Sequence, residues 1–87
     1  MNKQQKDAII KEYQRSATDV GSVEVQVALA SARITELTEH LKIHKKDFSS
    51  RRGLIAINNN RRSLLNYLQR VDYDRYITLI RRLGLRR

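Results

Sequence analysis

Residues 23–44 read VEVQVALASARITELTEHLKIH, and their spacing decides the fold. Val27, Ala30, Ile34, Leu37, Leu41 and His44 fall at intervals of 3, 4, 3, 4 and 3. That is a heptad seam, which only a helix turns to one side. The reading predicts one helix from about 23 to 44, roughly 33 Å long at 1.5 Å per residue. Working outward, 16–22 (SATDVGS) is a breaker cluster holding Asp19 and Gly21, and Ser22 can cap the long helix. Before it, 3–15 carries Ala8, Ile9, Ile10 and Tyr13 on a short, modestly amphipathic helix.

After the long helix comes HKKDFSSRRG at 44–53, and there Ser49 or Ser50 can cap a third helix. Leu54, Ile57, Leu64, Leu68 and Val71 share one stripe of that helix, which runs to about 71. Arg61 falls on the same stripe and can snorkel out of it. Asp72 can cap a last short helix with Tyr76, Leu79, Ile80 and Leu83 inward, and Gly84 is its stop. The expected fold is all-α with four helices. The second and third form a long antiparallel hairpin, packed with the shorter first and fourth. The 87 residues suit one small domain and are too few for two: 1–22 as a first helix and loop able to move, 23–87 as hairpin core and last helix.

Charge divides the chain. Residues 1–44 hold six Lys/Arg and six Asp/Glu; residues 45–87 hold twelve and three, so the whole net charge of +9 lies in the second half. Ten of those twelve cations are arginine, whose planar fork matches phosphate. This points to nucleic acid first and an anionic membrane surface second. No run of 18 apolar residues is long enough to span a membrane, and the start lacks the apolar centre of a secretory signal. With no cysteine, disulfides, thiol catalysis and cysteine-based zinc sites are excluded. The chain is expected to be cytoplasmic and a monomer when free.

Catalysis finds few residues to work with. His40 and His44, at i and i+4, are the only histidines, and no adjacent glutamate completes a metalloprotease pattern. No glycine-rich phosphate loop is present, and Asp72 and Asp74 read as helix-start residues. No metal, no cofactor and no enzymatic activity are expected.

A polar row is more specific. Gln26, Arg33 and His40 are seven apart, so they lie nearly on one line beside the seam and span about 21 Å. Asp47 and Ser50 lie just past its end. Short hydrogen-bonding groups of this kind suit the wide, shallow minor groove of A-form RNA, with Lys45, Lys46, Arg51 and Arg52 on flanking phosphates. An ordinary wet helix face, and a local cap bond for Asp47, account for the same spacing. On the third helix Arg61, Arg62, Tyr67 and Arg70 stand among the apolar positions. Tyr67, off the Leu64–Leu68 stripe, suits stacking on RNA or a place at the core edge. The run Asn58, Asn59, Asn60 is a poor helix former with no role readable from spacing.

GSVEVQVA (21–28), HLKIHKKD (40–47), SSRRGL (49–54), RRSLLNYL (61–68) and RYITLIRRLGLRR (75–87) together resemble the signature stretches of bacterial small-subunit ribosomal protein fifteen, in family order and spacing. The resemblance covers nearly the whole chain. It implies a four-helix structural protein of the small ribosomal subunit that binds its rRNA early in assembly. That protein holds a three-way junction of the central domain, the platform, and an adjoining stretch of one arm. Junction contacts would be Gly21, Gln26, Arg33, Tyr67 and Arg70; arm contacts would be His40, Asp47 and Ser50, against a minor-groove G–U/G–C feature. Other partners implied are neighbouring small-subunit proteins and the large subunit's rRNA at an intersubunit bridge. Val20 and Val23 stand where the family usually has threonine, and Phe48 where it usually has histidine. Asn58–Asn60 are also atypical and are expected away from the RNA-facing residues. A helical double-stranded DNA-binding protein, a cationic membrane binder and an enzyme are the alternatives.

Overall fold

A computed structural model describes residues 3–16 and 21–85. The expectations placed on Asp19, Val20, Arg86 and Arg87 lie outside the described residues. Four helices follow in order: α1 (Lys3–Tyr13), α2 (Val23–Ile43), α3 (Phe48–Val71) and α4 (Tyr73–Leu83). α2 and α3 form an antiparallel hairpin and share the largest interface, while α1 lies on α2 and α4 folds back on α3 and the start of α2.

Local chemistry sets each boundary. The Ser22 hydroxyl accepts from the Val25 N–H at 3.3 Å and caps α2. Asp72 serves two helices at once. Its N–H donates to the Leu68 carbonyl at 2.8 Å, closing α3, and its carboxylate accepts from the Arg75 N–H at 3.2 Å, opening α4. One extended residue therefore turns the chain. Gly84 ends α4 in the left-handed region at φ 68, with Leu85 N–H returning to the Ile80 carbonyl at 2.9 Å. A left-handed stop of this kind favours glycine because a side chain there is strained.

The core lies at the α4 end. Val27, Leu68, Tyr76, Leu79 and Ile80 are buried together, and Tyr13, Val23, Leu64, Leu65, Ile77, Leu83 and Leu85 pack around them. Val23, in place of a hydroxyl, thus adds to this packing. Val25 and Ala28 are buried too, although neither lies on the heptad seam. Three helices surround the first turns of α2, so that half is apolar on more than one side. Glu24 and Arg75 clamp the same end. The Arg75 Nε donates to Glu24 Oε2 at 2.7 Å and Nη2 donates to Oε1. With the Glu24 side chain only 12% exposed, the charge is matched where water is scarce.

Four expectations need correction. His44 is the C-cap of α2 and is exposed, so the seam ends at Leu41. Its backbone leaves the helical range because the chain is turning into the hairpin link. α3 is capped by Asp47, whose carboxylate accepts from the Ser50 N–H, and Ser49 and Ser50 lie inside the helix. Val71 is 56% exposed, since α4 turns back over Leu68 and leaves the last residue of α3 uncovered. Ala8 is exposed on α1, and Ile9, Ile10 and Tyr13 are the residues partly covered.

Leu68 is fully buried in the cluster that joins α2, α3 and α4. Leu68→Ala is expected to lower unfolding free energy by about 2–5 kcal/mol, read from urea denaturation followed by circular dichroism.

Candidate RNA-binding face

The hairpin turn is built by one carboxylate. Four residues, His44 to Asp47, join α2 to α3, with Asp47 N–H donating to the His44 carbonyl at 3.1 Å. Asp47 Oδ1 accepts from the Ser50 N–H at 3.1 Å. Asp47 Oδ2 accepts from the Ser50 hydroxyl at 2.7 Å and lies 2.8 Å from His40 Nε2. The Ser50 hydroxyl, then His40, then the Ser50 N–H hold the Asp47 carboxyl well below the usual carboxylate range. An ionised carboxylate only accepts, so His40 Nε2 carries the proton of that contact. The His40 ring also meets His44, with centroids 4.6 Å apart. The triad is partly exposed: the His40 side chain is 38% accessible and that of Asp47 34%. Its polar edge therefore faces solvent at the end of the row.

Gln26 and Arg33 lie further along α2, both exposed. They share a groove of about 680 Å³ with Leu29, Ala30, Lys6 of α1, and Ile57 and Asn60 of α3. Gln26 Nε2 donates to the Gly21 carbonyl at 2.7 Å, which draws Gly21 to the same end. Arg33 Nη1 donates to Glu36 at 2.7 Å. The structure thus joins Gln26 to Arg33 through one groove, Gly21 to Gln26 through a hydrogen bond, and His40 to Asp47 and Ser50 through one hydrogen-bonded turn. Tyr67 and Arg70 are exposed on α3 and do not line the groove. Tyr67, at 48% exposure, is off the core and open to a ligand.

The cations separate by their surroundings. Lys45, Lys46, Arg52 and Arg62 are exposed. Arg51 Nη2 donates to the Lys45 carbonyl at 2.8 Å, and its guanidinium lies 5.7 Å from the centre of the Phe48 ring. Arg61 is half-buried and turned to protein, donating to Ser31 Oγ on α2 at 3.2 Å and to Asn58 Oδ1 at 3.4 Å. It reconciles its place on the apolar stripe by finding these oxygens at the helix interface. Asn60 corrects a further expectation. The asparagine run does not stand wholly apart, because Asn60 forms a wall of the groove with Gln26 and Arg33. Seven-residue spacing on α3, through Gly53, Asn60 and Tyr67, was the available signal. Lys6 had none, since nothing local places α1 against α2. No helix among the described residues is long and apolar enough to cross a membrane.

A depressed carboxyl makes stability depend on pH in one direction. Its contribution is full above the unfolded pKa, about 4, and is lost as pH falls through the folded value. The melting temperature of the wild type is expected to exceed that of Asp47→Ala above about pH 5. That margin should shrink in strong acid. Thermal melts of both proteins across pH 2–7 check it, and a margin already lost at about pH 5 would contradict it.

The Ribosomal protein S15 family model matches residues 6–86. Among curated proteins, the Small ribosomal subunit protein uS15 of Carboxydothermus hydrogenoformans is 54% identical over 87 residues, covering 100% of this chain and 98% of that one. Its namesake from Teredinibacter turnerae is 55% identical with the same coverage. With the four helices, the hairpin and its capped turn in place, a match of this extent means that the chain belongs to the ribosomal protein S15 family.

Proposed function

We propose that this chain holds a three-way junction of small-subunit rRNA, using the α2–α3 face, and that it grips an adjoining helical arm with the hairpin turn. As a member of its family it is a structural, non-enzymatic protein of the small ribosomal subunit. The carrying observation is collinearity. Gln26 and His40 end one row on α2, about 21 Å apart along its axis, with Arg33 midway; the groove lies along the first half of the row and the His40–Asp47–Ser50 turn closes its far end.

In this reading Gly21, Gln26, Arg33, Tyr67 and Arg70 meet the junction. Gln26 addresses sugar or base edges, Arg33 exchanges Glu36 for a phosphate, and Tyr67 offers a ring for stacking. His40, Asp47 and Ser50 meet the minor groove of the arm, where 2′-hydroxyls and amino groups donate to the carboxylate. Lys45, Lys46, Arg51, Arg52 and Arg62 take flanking phosphates. Arg61 is withdrawn from that set by its bond to Ser31. Holding the junction organises the platform for neighbouring small-subunit proteins, and the chain contributes to a bridge to the large subunit's rRNA. Duplex DNA is served less well. Major-groove reading needs base-directed side chains at a recognition helix, whereas this row runs lengthwise and ends in a turn.

The test is a titration against a small-subunit rRNA junction fragment and the same fragment rebuilt as a continuous duplex, at matched salt. Strong preference for the junction is expected; equal affinity for both would overturn the reading. Arg52→Ala should weaken binding and reduce the log–log salt slope by about one. Ser50→Ala should weaken binding with the slope unchanged.

A further inference from the structure

We infer that Asn60 is a direct RNA-binding residue, its side-chain amide completing from α3 the polar wall that Gln26 and Arg33 present from α2. The inference rests on the junction-binding reading and adds a residue to it. Three observations carry it.

Asn60 is exposed and lines the groove with Gln26 and Arg33. The hairpin brings it there, because α3 runs antiparallel to α2 and Gly53, Asn60 and Tyr67 form a second row at seven-residue spacing. Asn60 is thus the middle of a line that ends at Tyr67.

Two of the groove's other polar groups, Gln26 and Arg33, are already engaged. Gln26 gives its amide hydrogen to Gly21, and Arg33 is paired with Glu36. Among the described residues Asn60 makes no side-chain hydrogen bond, while Asn58 gives its carbonyl to Arg61. An uncommitted amide offers a donor and an acceptor together. That pair fits a 2′-hydroxyl or the edge of a base in a shallow minor groove.

Three consecutive asparagines also disfavour a helix interior. Asn58 has its bond across to Arg61, but nothing within the protein compensates for Asn60. A ligand-facing amide supplies the missing reason. Alanine at 60 is the better helix former, so the substitution should not harm the fold.

The experiment titrates wild type, Asn60→Ala and Asn59→Ala against the junction fragment and its continuous-duplex control over a salt series. Asn60→Ala is expected to lose about three- to tenfold in junction affinity with the salt slope unchanged, as for one net hydrogen bond, and to melt no lower than wild type. Asn59→Ala, one residue along the same helix, should bind as wild type. Wild-type preference for the junction with unchanged affinity in Asn60→Ala would overturn this inference and leave the broader reading standing. An equal loss in Asn59→Ala would overturn it too, by making the effect one of the helix. Wild type that binds both RNAs equally would overturn the broader reading, and this inference with it.

Discussion

The Asp47 carboxylate is the point on which the hairpin turns. One oxygen caps α3 through the Ser50 N–H; the other receives the Ser50 hydroxyl and faces His40 Nε2 near the end of α2. The same group therefore starts one helix and ties it to the other. That bond sets the register in which the polar row of α2 faces the polar row of α3. Losing it would free the turn and blur the alignment of groups more than 20 residues apart in sequence. The cost of cation repulsion in Lys45, Lys46, Arg51 and Arg52 falls on this turn as well, and a carboxylate kept ionised opposes it.

Packing is concentrated at one end of the hairpin. The packed cluster of Val27, Leu68, Tyr76, Leu79 and Ile80 sits beneath α4, with Glu24 and Arg75 paired beside it. Toward the turn the covering helices run out, and Ile43 and Phe48 are 79% and 61% exposed. Long helices carry the rigidity of the packed end to the tip. The hairpin thus acts as a ruler whose far end need not contain a core. The short polar groups at the tip are held instead by the bonds among His40, Asp47 and Ser50.

Much of this was legible in the order of residues because it depends on neighbours in the chain. The seam from Val27 to Leu41, the caps at Ser22 and Asp72, and the Gly84 stop are local, and each falls where spacing puts it. Ser49 and Ser50 were equally plausible caps for α3; Asp47 took the role because its carboxylate also reaches His40, seven residues back. Val25 and Ala28 escaped a one-faced seam because three helices converge on that part of α2. The row Gln26–Arg33–His40 could be drawn from helix geometry, but its continuation across to Lys6 and Asn60 depends on how α1 and α3 dock. Arg61 reads as a phosphate ligand by charge alone, and only its bond to Ser31 reveals a place in the hairpin interface.

The central claim is that the two rows form one continuous RNA-facing track. Amide and side-chain NMR shifts of the labelled protein, followed during titration with the rRNA junction fragment, test it most directly. The account predicts that Gln26, Arg33, His40, the 47–50 turn, Asn60 and Tyr67 change together at one stoichiometry. Changes confined to scattered lysines and arginines, with the Gln26 and Asn60 side-chain amides unmoved, would contradict it and leave charge alone as the basis of binding.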